Sequence, residues 1–172
     1  MGTALATALD PLNFDDLVAR HQSMVFSIAF HVLQDRAAAE ELAQDVFLQL
    51  YRHLDRLQSA EHVTFWLRRV TSHRCIDHQR RRRFPFLNID SVAEPAAPSS
   101  PADPLLARRL RALVHKLPAH SRIAVVLRYQ EDLTPEEIAR VLDRPVATVK
   151  SQLQRALKTL RAQVLRVVGD KT

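Results

Sequence analysis

The chain has 172 residues with 25 basic and 19 acidic side chains, which gives a net charge of +6 and a sequence pI near 10.2. This basic balance favours a nucleic acid as partner. The 47% hydrophobic content is enough for buried cores, whereas the two glycines argue against a large β-sandwich or a phosphate-binding glycine loop. The single cysteine, Cys75, excludes an intrachain disulfide and suits a reducing compartment.

The first residues of the chain do not have the pattern of a signal peptide. The first ten residues contain no basic segment followed by an apolar core, so no signal peptide is predicted. The longest unbroken apolar run, residues 123–127, is far too short to span a bilayer. We therefore expect a soluble, cytoplasmic protein that does not insert into membranes by itself.

Apolar residues recur at helical spacing in the first half of the chain and predict three amphipathic helices. The first stripe comprises Phe14, Leu17, Val18, His21, Val25, Ile28, Ala29 and Val32. The second comprises Ala39, Leu42, Ala43, Val46, Leu50 and Leu54, and the third begins with Val63, Trp66, Leu67 and Val70. Trp66 shares its stripe with Val63 and Val70, so we expect its ring in the core.

The third predicted helix ends in a basic segment, residues 66–84. Its Arg80–Arg83 run is ordinarily a solvated helix end, but earlier arginines alternate with side chains that can hydrogen-bond bases or phosphates. Zinc binding by His73, Cys75 and His78 is not expected, because at about 100° per residue the three side chains point in separate directions. No nucleophile–base pair or nucleotide loop stands out, so no catalytic residues, metal or cofactor are predicted.

Residues 84–104 hold five of the nine prolines, with three acidic residues and no basic one. No helical period persists there, which indicates a flexible, acidic linker. Helical spacing returns at Asp103-Pro104, which resembles a cap followed by a first-turn proline. Two further helices are then predicted, one bearing Leu106, Leu110, Leu113, Val114 and Leu117 and one over residues 122–129.

The next stretch, residues 133–144, has complete helix-start signals. Thr134 suits an N-cap, Pro135 the first helical position, and Glu137 the return bond of a capping box. Leu133 and Ile138 lie where a hydrophobic staple would form, and Asp143-Arg144-Pro145 ends the helix. A short helix, a tight turn and a longer helix together predict a helix-turn-helix.

The longer helix has two dissimilar faces. Val149, Leu153, Leu157, Leu160 and Val164 form one, and Lys150, Ser151, Gln154, Arg155 and Lys158 form the other. In isolation the second face would be ordinary solvated surface. After a helix-turn-helix, it predicts contact with a DNA major groove.

The charge is unevenly distributed along the chain, which indicates several different partners. Residues 1–61 carry four basic and nine acidic side chains, residues 62–83 seven basic and one acidic, and residues 105–172 fourteen basic and six acidic. The predicted fold class is all-α, with two small helical domains joined by a flexible linker. The domains span residues 10–83 and 105–170, and the linker spans residues 84–104.

Three stretches in this order resemble the bacterial RNA polymerase sigma factors of the minimal, extracytoplasmic-function (ECF) type. EELAQDVFLQLYRHL (40–54), FWLRRVTSHRCIDHQRRRR (65–83) and LTPEEIARVLDRPVATVKSQLQRALKTLR (133–161) are similar to the family's motifs. The resemblance implies a non-enzymatic specificity subunit that binds core RNA polymerase, directs it to promoter DNA and helps to melt that DNA. It also implies control by an anti-sigma factor.

The resemblance further implies roles for particular residues. Glu41, Gln44 and Asp45 match the motif that docks on the clamp helices of the largest polymerase subunit, and the second domain would meet the polymerase flap. The −10 element would be bound by Arg69, His73, Arg74, Asp77, His78, Arg80 and Arg81, with the loop over residues 55–61. The −35 element would be read by Thr148, Lys150, Ser151, Gln154, Arg155 and Lys158.

Departures from the family motifs bear on promoter sequence and not on the motif itself. His73 stands where many relatives have Asn, Gln152 replaces a common Arg, and Ala147 replaces a common Gly. Two alternatives remain on the residues alone. A self-sufficient helix-turn-helix regulator would bind duplex DNA tightly without polymerase, and a nucleic-acid-processing enzyme would turn over DNA or RNA.

Overall fold

The computed structural model describes residues 13–83 and 104–169, and within this part of the chain every regular element is helical. Seven α-helices occur in these residues: α1 (Phe14–Leu33), α2 (Arg36–His53), α3 (Ala60–Arg83), α4 (Pro104–His115), α5 (Ala119–Tyr129), α6 (Pro135–Leu142) and α7 (Val146–Gly169). A short 3₁₀ turn, Leu54–Arg56, follows α2. The predicted all-α class is confirmed. The linker predicted over residues 84–104 and the Asp103 cap lie almost entirely outside the described residues.

The first half of the chain is a three-helix unit whose helix starts are capped by side chains. The side chain of Asn13 accepts a bond from the amide of Asp15, and that of Asp35 accepts one from the amide of Ala38, both at 3.0 Å. Gln34 adopts a left-handed conformation, φ 56°, and reverses the chain between α1 and α2. Each of α1, α2 and α3 packs against the other two. The predicted apolar stripes form their shared core.

The second half contains the helix-turn-helix. Thr134 and Glu137 form the predicted capping box, because the hydroxyl of Thr134 accepts from the amide of Glu137 and the carboxylate of Glu137 accepts from the amide of Thr134 at 2.7 Å. Leu133 and Ile138 are both buried. The turn needs no glycine because Asp143 takes the left-handed conformation, φ 55°, which short polar side chains tolerate. The amides of Asp143 and Arg144 both bond back to the carbonyl of Ala139.

Two predictions about the core need correction. Val164, assigned to the apolar face of α7, is 36% exposed, and its neighbours Leu165 and Arg166 are exposed as well. Trp66 is only half-buried, although it packs on the core and its ring lies 5.8 Å from the ring of His53.

The two halves are in contact, which the prediction of domains on a flexible tether did not include. Helices α4 and α5 pack on α1, and α5 and α6 pack on α3. The basic third helix of the first half is therefore partly covered by the second half. None of the helices that the structure describes is long and apolar enough to cross a membrane.

Candidate nucleic-acid interface

The exposed face of α7 is the strongest candidate for contact with duplex DNA. Lys150, Gln154, Arg155 and Lys158 are all exposed on it. On the opposite face, Val149, Leu153 and Leu160 are buried against the other helices of the second half. The capping box and the left-handed Asp143 define both ends of α6, and α7 packs on α5 and α6. The result is a firmly anchored helix with a basic, hydrogen-bonding surface.

Thr148, Ser151 and Arg155 are linked by hydrogen bonds along this face. The hydroxyl of Ser151 donates to the carbonyl of Thr148 at 3.0 Å, and the Nε of Arg155 donates to the carbonyl of Ser151 at 3.2 Å. The side chain of Arg155 thus lies back along its own helix. A bidentate contact with guanine would require it to swing outward, which is inexpensive for an exposed side chain.

Lys150 forms an ion pair with Glu136 of α6, with 2.9 Å between Nζ and Oε1. The bond from Lys150 is the main cause that lowers the pKa of the Glu136 carboxyl. Both side chains are more than half exposed, so the pair contributes little to stability. The pair matters for the electrostatics of this surface, because the Glu136 carboxylate offsets the charge of Lys150 on the exposed face of α7.

Gln152 lies on the buried side of α7, at 9% exposure. Its Oε1 is buried without a hydrogen-bond partner among the described residues. The side chain at this position packs against the protein and is not part of the exposed basic face. The replacement of the common Arg by Gln152 therefore changes the interior of the second half and leaves the basic face of α7 intact.

The predicted −10 residues on α3 are divided between two sides of the helix. Arg74, Asp77, His78 and Arg81 line a cleft of about 510 Å³ between α2 and α3. Glu41 and Asp45 line its other wall, and Arg74 pairs with Asp45 at 3.1 Å. Sequence reasoning treated all of these as one −10 surface, separate from the docking residues. The structure instead joins most of that set to two docking residues in one cleft of mixed charge.

The remaining −10 candidates lie towards the second half. Arg69 donates to the carbonyl of Arg140 at 3.3 Å, and its guanidinium is 3.6 Å from the carboxylate of Asp143. His73 and Arg80 lie near His120 of α5. Burial lowers the pKa of His120, and the charges of Arg144, Arg80 and His73 lower it further. The Nε2 of His73 is itself buried without a partner among the described residues.

The predicted docking residues on α2 are all exposed, as a surface for another protein requires. Glu41 and Asp45 face the cleft with α3. Gln44 faces the other side of α2, where it lines a shallow apolar groove with Phe47 and Leu48. Leu48 is 56% exposed, which is unusual for a large apolar side chain. The three residues therefore occupy two adjoining sides of one helix.

Cys75 is fully buried in α3, and burial raises the pKa of its thiol to about 12. The thiol therefore stays protonated at neutral pH and is a packing group, not a nucleophile or metal ligand. Within residues 13–83 and 104–169, no group of three or more His, Cys, Asp or Glu side chains is placed to hold a metal ion.

Three residues connect the two halves, and the sequence reasoning had named only one of them, Arg68, as part of the basic segment of α3. Arg122 of α5 is buried and donates to the carbonyl of Val32 in α1 at 2.8 Å. Arg68 of α3 pairs with Glu131 in the turn before α6 at 3.1 Å. The only indication of this role in the sequence was that Arg122 stands at the start of the apolar stretch over residues 122–129. Nothing in the sequence indicated the partner of Arg122.

Known proteins match both halves of the chain. Residues 17–84 match the family model for sigma-70 region 2, and residues 107–160 match that for sigma-70 region 4. The RNA polymerase sigma-H factor of Pseudomonas aeruginosa is 30% identical over 167 residues, covering 88% of this chain and 86% of the relative. The ECF RNA polymerase sigma factor SigW of Bacillus subtilis is 26% identical over 166 residues, covering 88% of each.

One solved structure has a similar fold. It is the sigma factor RpoE in complex with the anti-sigma factor NepR from Bartonella quintana. It aligns with a TM-score of 0.73 at 20% identity, over 88% of this chain and 96% of that chain. Because the alignment spans nearly the whole of both chains, the likeness covers both helical units.

Proposed function

The chain belongs to the sigma-70 family of RNA polymerase sigma factors, as a member of the ECF type. From this membership we propose which of its surfaces recognise each promoter element during transcription initiation. As a sigma factor it acts with core RNA polymerase on promoter DNA. We assign −35 recognition to the basic face of α7 and −10 recognition to α3. The observation that carries the assignment is the exposed basic face of α7 on a capped helix-turn-helix, within the region 4 match. The self-sufficient regulator and the nucleic-acid-processing enzyme are not favoured.

In the proposed −35 complex, α7 enters the major groove. Lys150 and Arg155 can donate to guanine O6 and N7, and Gln154 can pair with adenine. Thr148 and Ser151 can bond phosphates, and Lys158, further along the exposed face, supplies charge to the backbone. This division of roles is supported by the exposure of Lys150, Gln154, Arg155 and Lys158.

In the proposed −10 complex, α3 holds bases that become exposed when the strands separate. Histidine can stack on unpaired bases, and arginine can bond both phosphates and base edges. The cleft between α2 and α3 brings Arg74, His78 and Arg81 together with Asp77 at its rim. Its mixed charge suits a pocket that accepts one base with its phosphate, while Glu41, Gln44 and the apolar Leu48 face the polymerase clamp helices. The second domain meets the polymerase flap.

Three further points belong to the proposal. The protein is a specificity subunit without catalytic activity of its own, and it works in the cytoplasm, where the polymerase is. An anti-sigma factor controls it, as one binds the structurally similar RpoE named above. The functional boundaries are residues 10–83 for docking and −10 recognition, 84–104 for the linker and 105–170 for −35 recognition.

Run-off transcription tests the proposal directly. Core polymerase alone, and core polymerase with the purified protein, are supplied with a library of genomic promoter fragments. We expect discrete run-off products only when the protein is present. Tight binding of duplex DNA by the isolated protein, with no products after addition of core polymerase, would instead favour the self-sufficient regulator.

A further inference from the structure

Four basic side chains from three elements lie together where the second half packs on α3. We call them the basic cluster: His73 and Arg80 of α3, His120 of α5, and Arg144 of the turn between α6 and α7. The Nη2 of Arg144 lies 3.1 Å from the Nε2 of His120. Burial, and then the charges of Arg144, Arg80 and His73, lower the pKa of His120. The cluster is therefore a concentration of basic groups whose charged forms a bound anion would stabilise.

The carboxylates nearest in sequence to the basic cluster are engaged elsewhere. Asp143, directly before Arg144, is 78% exposed and lies 3.6 Å from the guanidinium of Arg69. Asp77, one turn after His73, lines the cleft with α2 on the other side of α3. Neither is among the charges that shift the pKa of His120, which are all positive. Neither carboxylate therefore supplies a counter-ion to the cluster.

The hydrogen bonds of the basic cluster are incomplete. A guanidinium can only donate, so Arg144 donates to the Nε2 of His120, and the ring proton of the neutral imidazole is on Nδ1. That Nδ1 is buried and has no acceptor among the described residues, and the Nε2 of His73 is buried without a partner in the same way. Buried polar groups of this kind are rare in folded proteins, because each costs free energy until a partner satisfies it. An anion with several acceptor oxygens would complete these bonds.

Two further features favour an anion at this place. His120 is the second residue of α5, whose N-cap, Pro118, makes no side-chain hydrogen bond. The start of a helix carries partial positive charge, which adds to the attraction of the cluster for an anion. The surrounding helices are fixed in position, because the buried apolar residues of both halves form one hydrophobic core that includes Ile76 of α3 and Ile123 of α5. The site is thus preorganised and loses little conformational freedom on binding.

We propose that the basic cluster binds the phosphate group of a small molecule, either inorganic phosphate or a phosphate monoester. Its two guanidinium groups can pair with phosphate oxygens, and its two imidazoles can donate to others. Donors that come from three elements suit a tetrahedral dianion better than a planar carboxylate. Only Arg80 is exposed, whereas the other three side chains are half-buried, so the site suits a small ligand and not a DNA backbone. This site goes beyond the proposed function and is measured on the free chain.

Histidine NMR tests the site directly. The full chain is titrated with sodium phosphate at neutral pH, and in parallel with sodium chloride at equal ionic strength. The imidazole signals, assigned with single histidine-to-glutamine variants, should shift saturably for His73 and His120 and give the same Kd for both. His53, at the end of α2, should not follow that curve. A further titration with glycerol 2-phosphate distinguishes a monoester from free phosphate by which of the two binds more tightly.

Arginine variants locate the bound anion. Arg144→Gln removes the guanidinium that bonds His120 and should raise the Kd for phosphate about tenfold. Arg80→Gln, at the exposed rim, should raise it less. Arg52→Gln is the matched control, because Arg52 is an exposed arginine at the end of α2, outside the basic cluster, and should keep the wild-type Kd. Circular dichroism verifies that each variant is folded.

Sulfate separates the role of the imidazoles from the titration of phosphate itself, since sulfate stays a dianion at neutral and mildly acidic pH. A bound anion favours the protonated imidazole, so the affinity for sulfate should increase as the pH falls from neutral. His120→Gln should reduce that increase, and His73 should account for what remains.

Shifts of His73 and His120 that do not saturate, or that chloride reproduces, would overturn the site, as would an unchanged Kd in folded Arg144→Gln. Saturable shifts with a single-stranded DNA of about 12 nucleotides, and none with phosphate or its monoester, would assign the cluster to the DNA backbone and overturn the small ligand. Failure of run-off transcription by the wild type would contradict the proposed function alone, and the phosphate titration would stand.

Discussion

At the scale of single residues, several charged side chains have roles that depend on which residues of other helices contact them. Asp45, a docking candidate, is half-exposed but pairs with Arg74 across the cleft. Arg122 lies in an apolar stretch of sequence yet bonds a carbonyl of another helix. Each of these roles follows from a partner distant in the chain, and residue type alone predicts only that the side chain is charged.

Glu41 is the cleaner probe of polymerase docking, since Asp45→Lys would also place a lysine against Arg74. We expect Glu41→Lys, and more strongly Glu41→Lys with Asp45→Lys, to weaken binding of core polymerase while the helical content stays unchanged, because the acidic groups suit a basic partner surface. Pull-down of core polymerase measures the effect. Asp16→Lys, at an exposed position on α1, is the control, and wild-type recovery of polymerase by the double variant would contradict the assignment.

His120 should make folding stability depend on pH. Burial, then the charges of Arg144, Arg80 and His73, keep its pKa below the usual 6.5 in the folded protein. The unfolded chain therefore takes up a proton first as the pH falls, so the free energy of unfolding should decline below about pH 6.5. Urea unfolding at pH 7.5 and 5.5 should show a smaller decline for His120→Gln than for the wild type.

Other groups with shifted pKa values also contribute to the dependence of stability on pH. The pKa of His21 is also lowered, chiefly by burial, so part of the decline should persist in His120→Gln. Burial raises the pKa of Glu131, which acts in the opposite direction, because folding then favours its protonated form as the pH falls. Equal declines in the wild type and in His120→Gln would exclude His120 as a source.

At the scale of elements, the helix-turn-helix is the part in which local sequence signals and tertiary packing specify the same structure. The capping box starts α6, the left-handed Asp143 ends it, and Pro145 precedes the start of α7 at Val146. Buried Ile138 and Val149 then fix the two helices against each other. Because these signals are local, the sequence predicted both helices and the exposed face of α7.

The side chains of α7 should separate into readers of base sequence and contacts to the backbone. Loss of a bidentate guanine contact in Lys150→Ala or Arg155→Ala should cost about 1–3 kcal/mol and relax preference at one base pair. Lys158→Ala should weaken binding about equally on all sequences and lower the salt slope by about one. Promoter selection with purified holoenzyme, alongside melting temperatures, measures both effects.

Glu136→Gln is the matched variant for Lys150, because it removes the paired carboxylate and keeps the lysine. It should bind −35 DNA more tightly than the wild type, with unchanged base preference. If Lys150→Ala, Arg155→Ala and Lys158→Ala all keep wild-type selectivity while their melting temperatures fall, the face of α7 is structural and not a reading surface.

At the scale of the whole molecule, the two halves meet at α3. One side of this helix shares a cleft with α2, and the other side is covered by α5 and α6. If α3 binds the −10 element as proposed, the second half packs on one side of the helix that meets DNA. On that side Arg68 and Arg69, adjacent in the chain, contact Glu131 and Asp143 of the second half.

His73 and Asp77 test both sides of α3 in the assembled complex. We expect His73→Ala and Asp77→Ala to impair strand opening at the −10 element more than formation of the closed promoter complex, since they contact DNA only after it melts. Permanganate footprinting of the holoenzyme on one promoter measures opening, with exposed Asp16→Ala as control. Normal footprints for both variants would place the −10 surface elsewhere.

Much of this protein followed from the sequence because the governing signals are local. Apolar spacing predicted the helices, proline and acidic content separated the two halves, and Thr134, Pro135 and Glu137 predicted the start of α6. The family resemblance likewise rested on short motifs, and membership in that family is confirmed. Exposure of Glu41, Gln44 and Asp45 was predictable too, since it depends on which side of one helix a residue occupies.

The tertiary structure alone decided how the halves meet and how α3 is shared. Apolar periodicity records that a side chain is buried but not by which helix, so it could not distinguish the two sides of α3. The partners of Arg68 and Arg122 lie 63 and 90 residues away along the chain. A contact of that separation leaves no local pattern, because its two partners lie on elements that meet only in the tertiary structure.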